Sequence, residues 1–499
     1  MTQSICILGG GISGLTAGAF LAQAGCRVTV LEKAKTVGGS AGAYVRQDRR
    51  FPAGATVAFG LEDGGLLTGL FGGLGIEVPA VRLAHPMDVV LPDRTVSVYQ
   101  DRLRWKAELA RVFPERAAEV LAFWKELSQI GGTVFGVTAT GVSLPVRRLY
   151  DLGHLPGYAL RHPARLLPVA RRALWTVGDL LNAHGLGSYA PFRQFLDAQL
   201  MDAAQTDCGH AALLPASLAL DIYRRGSYFV EGGLGQLSEL LADRIRGLGG
   251  EVVMSSPVTS LIREDSSWRV VTRKRSDLYD VVLNSTGVSF GIGTSHAEDD
   301  AFSWGAFRID AVLDERFAEE HLAGRTLPFA LQIQPAAGHP VYEAGGHGPV
   351  YVTFLPSADG HGEPINGEIM MTCSIHTEPG GWERRPKEIY AERKRALADA
   401  MLAAIEDVMP IERYVHRSDA GTPATYDRYI GKTAVGGFPL TVRNAILQPN
   451  SVRSPLPDFY LAGEQSFPGP GTLSSALSGY HAARAILGGR IHPSFSGYR

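Results

Sequence analysis

Three glycines at Gly9-x-Gly11-x-x-Gly14, an acid at Glu32 and a second glycine pair at Gly38 and Gly39 have the types and spacing that hold a phosphate-bearing cofactor. Gly9 permits a tight turn, Gly11 lets a pyrophosphate approach the backbone, and Gly14 lets a helix pack closely on a strand. The N–H groups of the helix start then face the phosphates. The motif lies between two apolar runs, Ile5 to Leu8 and Val28 to Leu31, and the second run ends on Glu32, placed to hold a ribose. That context makes a dinucleotide site the reading; the alternative is a tight turn in a parallel sheet with nothing bound. Elsewhere there is no Ser/His/Asp set, no paired-carboxylate motif and no His cluster. The four cysteines (Cys6, Cys26, Cys208, Cys373) form no CxxC, which argues for a reducing compartment and against zinc or a disulfide frame. No metal site is expected.

The elements around these residues follow from pattern. At 499 residues the chain exceeds a single core, so two or three subdomains are expected. Net charge of −2 gives no footprint for nucleic acid. A helix follows Gly14 and stops near Gly25. Residues 101 to 130 carry two helical patterns split at Pro114, with Val120, Trp124 and Leu127 on one face of the second. Leu127 to Val146 is uncharged for a spanning length, but its four glycines and a proline make it a buried or interfacial loop and not a transmembrane helix. Residues 147 to 175 mix six arginines with leucines and prolines. This is either a solvated basic face or a patch resting on anionic lipid. A helix from about Gln236 to Leu248, a strand near Val252, a buried strand in "DVVLNSTG" and strand-like alternation over 300 to 380 follow. Lys387 to Met409 reads as an amphipathic helix closed by Pro410. "FYLAGEQSFPGPGTLSSALSGYHAARAIL" closes the pattern as strand, glycine-rich turn and helix. The N-terminus lacks a basic leader pattern, and a cytoplasmic location is expected.

A ribose-binding strand end does not by itself need another permissive turn a few residues later. An extended, deeply buried cofactor does, because it passes the backbone closely more than once. "VGGSAG" supplies a second passage and "LAGE" with "GPGTLSSALSG" a third, where Glu464 can accept a ribityl hydroxyl and the helix starting near Thr472 can aim its N–H groups at a pyrimidine edge. Three such turns favour FAD over NAD, bound non-covalently, since no His or Cys stands in an attachment motif.

The segments "FPAGATVAFGLEDGGLL", "FRQFLDAQLMDAAQTD", "GTPATYDRYIG" and "LAGEQSFPGPGTLSSALSGYHAA" resemble the phytoene desaturase family over nearly the whole chain, and most of all its carotenoid 3′,4′-desaturases. The resemblance implies an α/β fold: a Rossmann-like FAD domain of the amine oxidase type, from residues 1–90, 226–298 and 420–499, beside an α+β substrate domain of sheet and helices from 91–225 and 299–419. It implies that Gly9, Gly11, Gly14, Glu32, Lys33, Gly38, Gly39 and Ser40 bind the ADP half and that Val258 meets adenine through its backbone. Gly463, Glu464, Gly471, Thr472 and Leu473 hold the flavin end, and Gly54 and Ala55 also bind the cofactor. Thr56, Phe59, Tyr426 and Phe467 face substrate. The implied reaction removes two hydrogens from an acyclic carotenoid, as a hydride to the flavin and a proton to an acceptor the sequence leaves unassigned. Oxygen or a quinone takes the electrons, and the enzyme is peripheral to a membrane through 127–175. Carotene isomerisation and phytoene desaturation are the near alternatives; a flavin amine oxidase and a non-catalytic lipid-binding escort are the distant ones.

Overall fold

The computed structural model describes residues 2–290, 303–383 and 385–491. The expected division at 298/299 lies outside them. A five-stranded parallel sheet runs Glu251–Val253, Arg27–Leu31, Ser4–Leu8, Val281–Asn284, Phe459–Leu461. Its strands come from distant parts of the chain because short apolar runs, buried on both faces, pair only with one another. The two faces are legible in the first strand. Ile5 and Ile7 pack with the helices Ile12–Gln23, Gln236–Gly247 and Thr472–Ile486. Cys6 and Leu8 pack against a three-stranded antiparallel sheet spanning Val258–Glu264, Ser267–Thr272 and Ser276–Tyr279.

A seven-stranded sheet forms the second layer system, in the order Val415–Gly421, Gly305–Asp314, Pro364–Thr377, Gly346–Ala358, Phe329–Ile333, Met87–Val90, Thr95–Val98. Met87–Val90 already belongs to this sheet, a few residues before the expected division at 90. The sheet's apolar face (Phe307, Ile309, Cys373, Val352, Leu331) is covered by the helix Lys387–Glu406, which packs Leu397, Met401 and Ile405 onto it. Its opposite face carries a polar row in register: Arg308 beside Ser374, Ser374 beside Tyr351, Tyr351 beside Gln332. A helical core lies near that end, built from Arg102–Val112, Ala117–Ala139, Val177–Ala183, Ala190–Ala204 and Leu213–Asp221.

The expectation of a loop over Leu127–Val146 is corrected. Residues through Ala139 continue the helix Ala117–Ala139. The glycines that suggested a loop serve helix contact instead. A Cβ on Gly131 would lie 2.7 Å from the Ser217 carbonyl oxygen, and one on Gly136 would lie 2.4 Å from the Tyr158 hydroxyl. Tertiary packing therefore overrides the low helix propensity of glycine. Among the described residues no helix is long and apolar enough to cross a membrane.

Candidate functional site

The site begins where Ser4–Leu8 ends. Gly9 turns the chain at φ +96, in the left-handed region, and its carbonyl accepts a bond from the Ser285 hydroxyl at 3.0 Å. Gly14 faces that turn so closely that a Cβ would stand 2.4 Å from the Gly9 carbonyl oxygen. A Cβ on Gly11, by contrast, would meet nothing within 4 Å. The helix Ile12–Gln23 starts at Gly11, and its first N–H groups have no side-chain cap. This leaves an open cradle above a helix N-terminus, which suits a phosphate.

Glu32 stands at the end of Arg27–Leu31. Its carboxylate accepts from the Gly10 amide at 2.6 Å and the Ala34 amide at 2.7 Å, so it fixes the glycine turn as well as facing the cradle. Each oxygen retains a lone pair for a further donor. The Gly38 amide donates to the Gly10 carbonyl at 2.7 Å, and Gly11 and Gly38 form a short parallel bridge. The second glycine pair is thus the backbone partner of the first turn. A Cβ on Gly38 would lie 2.4 Å from Gly42 Cα, and Gly39 and Ser40 continue into a short 3-10 turn. Ser40's carbonyl backs onto Gly54, where a Cβ would be 2.5 Å away. The segment after Val253 runs beside the acid, with the Ser256 amide donating to the Glu32 carbonyl at 2.8 Å, and half-buried Val258 opens the next strand there. Lys33 is exposed and reaches toward Gly431.

The C-terminal turn meets the same place from the other side. A Cβ on Gly463 would lie 3.4 Å from the Ser13 hydroxyl, and one on Gly479 would lie 2.0 Å from the Ser13 carbonyl oxygen, so the first and last helices cross in backbone contact. Gly471 precedes the helix Thr472–Ile486 with open space over its Cα, and Leu473 packs on Gly60. Glu464 pairs with Lys432. The three glycine turns are therefore joined, Gly11 to Gly38 and Ser13 to Gly463. The open cradle over Gly11, the free lone pairs of Glu32 and the uncapped helix starts fit a dinucleotide cofactor.

Beyond this line lies the polar face of the seven-stranded sheet. Buried Arg308 pairs with Asp310 at 2.8 Å and donates to the carbonyls of Pro52 at 2.6 Å and Gly54 at 3.3 Å, pinning the segment that leads to exposed Ala55 and half-buried Thr56. Burial opposes its charge, but Asp310, Tyr426 and Tyr44 outweigh it and hold its pKa above the ordinary value. Tyr44 donates to Asp310 at 2.5 Å, and burial followed by that carboxylate pushes the phenol up. Tyr426 sits over the same segment, its hydroxyl 3.5 Å from the Ala53 carbonyl. Phe59 packs edge-on against Tyr223, ring centroids 5.1 Å apart. Phe467 lies beside His481 of the last helix, the rings tilted with centroids 5.6 Å apart.

Several groups in this region escaped the sequence reading: the Arg308–Asp310 pair, Lys432, Asp202, Tyr223, Tyr351 and His376. Arg308 and Asp310 did leave a signal, two charges at i and i+2 in an otherwise apolar strand pattern. The others gave none, because their meeting depends on strands and helices far apart in sequence.

A model of the NAD(P)-binding Rossmann-like domain matches residues 7–74. Over its length the chain is similar to the solved structure of a putrescine oxidase double mutant, with TM-score 0.63, 14% identity, and 98% of this chain and 99% of that one covered. The chain has the amine-oxidase fold. In sequence it is similar to prolycopene isomerase 1 of an Oncidium hybrid cultivar, 24% identical over 96% of this chain and 83% of that protein. A 4,4′-diapophytoene desaturase of Methylomonas is 24% identical over 53% of this chain and 50% of its own length. Neither relative singles out 3′,4′-desaturation.

Proposed function

We propose that this chain is an oxidoreductase that binds FAD non-covalently and desaturates an acyclic carotenoid, at the 3′,4′ bond on the strength of the sequence resemblance. The observation that carries the reading is the joining of three glycine turns into one line from Glu32 to the Thr472–Ile486 helix start, a length of close backbone approaches suited to FAD. When bound, FAD supplies a two-electron acceptor for a hydride. The chain does the rest. Glu32 holds the adenosine end, Gly11 and Gly38 leave room for the pyrophosphate, and the N-terminus of the last helix faces the far end of the flavin. Arg308, anchored by Asp310, fixes the Pro52–Gly54 backbone so that Ala55 and Thr56 border the reacting region. Phe59 and Tyr223 supply apolar walls that exclude water from a polyene.

Substrate dissolved in lipid requires a surface that rests on it. Residues 146–174 expose Val146, Leu149, Leu160, Leu167 and Leu174, Leu149 at 88% and Leu160 at 85%, between exposed Arg147, Arg148, Arg161, Arg165 and Arg171. Exposed leucines framed by arginines suit anionic headgroups and acyl chains together, and we assign peripheral membrane docking to them. Arg172 is excluded from this set because Glu126 holds it at 2.6 Å and its guanidinium lies over Trp175.

Isomerisation is the second reading, favoured by the near full-length similarity to prolycopene isomerase 1 against half-length similarity to the desaturase. Product mass separates them. Purified protein refilled with FAD is given acyclic carotenoids in liposomes with oxygen or a quinone. Loss of two hydrogens supports desaturation, and an unchanged mass with altered double-bond geometry supports isomerisation. Conversion of amines but not of any carotenoid would refute the assignment.

A further inference from the structure

Asp202 occupies the last turn of the helix Ala190–Ala204 and is exposed, although its neighbours Ala198, Gln199, Leu200, Ala204 and Gln205 are buried. Burial by the surrounding protein pushes its carboxyl up to about 6. Contacts of its neighbours place this end of the helix. Gln199, one helical turn earlier on the same side, bonds the side chain of Gln332, and Gln332 donates to the Ala198 carbonyl at 2.8 Å. Gln332 is the register partner of Tyr351 on the polar face of the sheet. Met201 packs on Gly348 of the neighbouring strand. The carboxylate thus sits between helix and sheet, and its charge raises the phenols of both Tyr223 and Tyr351 beyond what burial does. Tyr223 carries Phe59 on its edge.

The same helix end touches the cofactor's C-terminal turn. Gln205, bonded back to the Asp202 carbonyl at 3.0 Å, lies against Gly436, and Gly437 lies against the Glu464 backbone, where a Cβ would be 2.5 Å away. The Ala204 carbonyl accepts from the Leu440 amide at 2.9 Å, and Leu440 packs on Gly469. Among the described residues no cation pairs with Asp202.

We propose that Asp202 is the acid–base residue that takes a proton from carbon when a polyene lies against this helix end, between the polar face of the sheet and the C-terminal turn. The inference rests on the function proposed above. One carbon loses hydride to oxidised flavin, the two-electron acceptor. The C–H bond of the adjacent carbon then breaks, its electron pair becomes the new C=C bond, and the proton moves to the Asp202 carboxylate, which later returns it to water. A carboxylate that titrates near the working pH serves such a transfer best. The other titratable groups facing this region are Tyr223 and Tyr351, both pushed up; Arg224, lowered by burial; His376, pushed down to about 4 by burial; and His347.

The test is Asp202→Asn, with Asp202→Glu as the conservative variant and His347→Gln as the control. In the cofactor-free protein, infrared titration is expected to show a carboxyl band that changes near pH 6 and is missing in D202N. With FAD, D202N is expected to keep flavin content and polyene binding, to lose about 100-fold or more in kcat, and to lose the pH limb that the wild type and H347Q share. D202E is expected to recover part of the rate. A D202N protein that converts polyene at the wild-type rate, or retains the limb, overturns the proposal. Wild-type protein that binds no polyene overturns the function on which it rests, a result distinct from the first.

Discussion

The two helix-start glycines make opposite predictions, and the contrast tests where the cofactor lies. An alanine at Gly14 places a Cβ 2.4 Å from the Gly9 carbonyl oxygen, 2.4 Å from Ser285 Oγ and 3.1 Å from Ile7 Cγ2. The hydroxyl can rotate, but the carbonyl is backbone in a constrained turn, so helix and strand must separate. Overpacking of this kind costs ~1–3 kcal/mol, partly offset by the ~1 kcal/mol that alanine gains over glycine within a helix. Gly14→Ala is expected to lower the melting temperature of the cofactor-free protein by a few degrees. Gly11 has an ordinary extended conformation, φ −75 and ψ 169, and its Cβ would meet nothing within 4 Å. Gly11→Ala should therefore melt like the wild type without cofactor. With cofactor the methyl fills the space through which phosphate reaches the backbone, removing one or two charge-assisted bonds of ~1.5–3 kcal/mol each. FAD affinity, read by quenching of flavin fluorescence on refilling the apoprotein, is expected to fall at least ~10-fold. Undiminished affinity in Gly11→Ala would refute the placement of the pyrophosphate over this turn, and an unshifted melt in Gly14→Ala would refute the packing argument.

Three further outcomes are expected. Glu32→Ala should lose both cofactor and stability, because the Gly10 and Ala34 amides lose their acceptor, whereas Glu32→Gln keeps one acceptor oxygen and should melt closer to the wild type while still binding FAD weakly; calorimetry with and without FAD checks both. Asp202 has a folded pKa raised from 3.8 to about 6, so its charged form is penalised in the fold above pH 6, and the penalty vanishes as pH falls through the folded and then the unfolded value. Asp202→Asn should accordingly be the more stable protein at pH 8, by ~1 kcal/mol after discounting the ~3 kcal/mol ceiling for the accessible carboxylate, with the two melts converging by pH 4. Changing Arg147, Arg148 and Arg171 to Ser should weaken binding to anionic liposomes and flatten its salt dependence, measured by flotation, while binding that matches the wild type would move the dock elsewhere.

Local patterns were enough for much of this protein. The strand–turn–helix at Ser4–Gln23, the acid at Glu32 and the closing strand, turn and helix are short-range features, in which residue type dictates backbone conformation within a few positions. The sequence therefore determined the class of the fold and the strand–turn–helix that we propose cradles a dinucleotide. It misread Leu127–Ala139, because glycines that weaken an isolated helix are the ones that let this helix approach Ser217 and Tyr158. Only the tertiary structure decided that Gly38 is the backbone partner of Gly10, that Glu32, expected to hold a ribose, also braces the glycine turn, and that Arg308, Tyr351 and Gln332 share one face of the sheet, with the Asp202 helix against it. The physical reason is sequence separation: strand register and helix docking set which distant polar groups come together, and those surroundings set their charge. A carboxylate in a helix stretch such as "DAQLMDAAQTD" carries no local mark of its surroundings, which appear only once the sheet is laid against the helix.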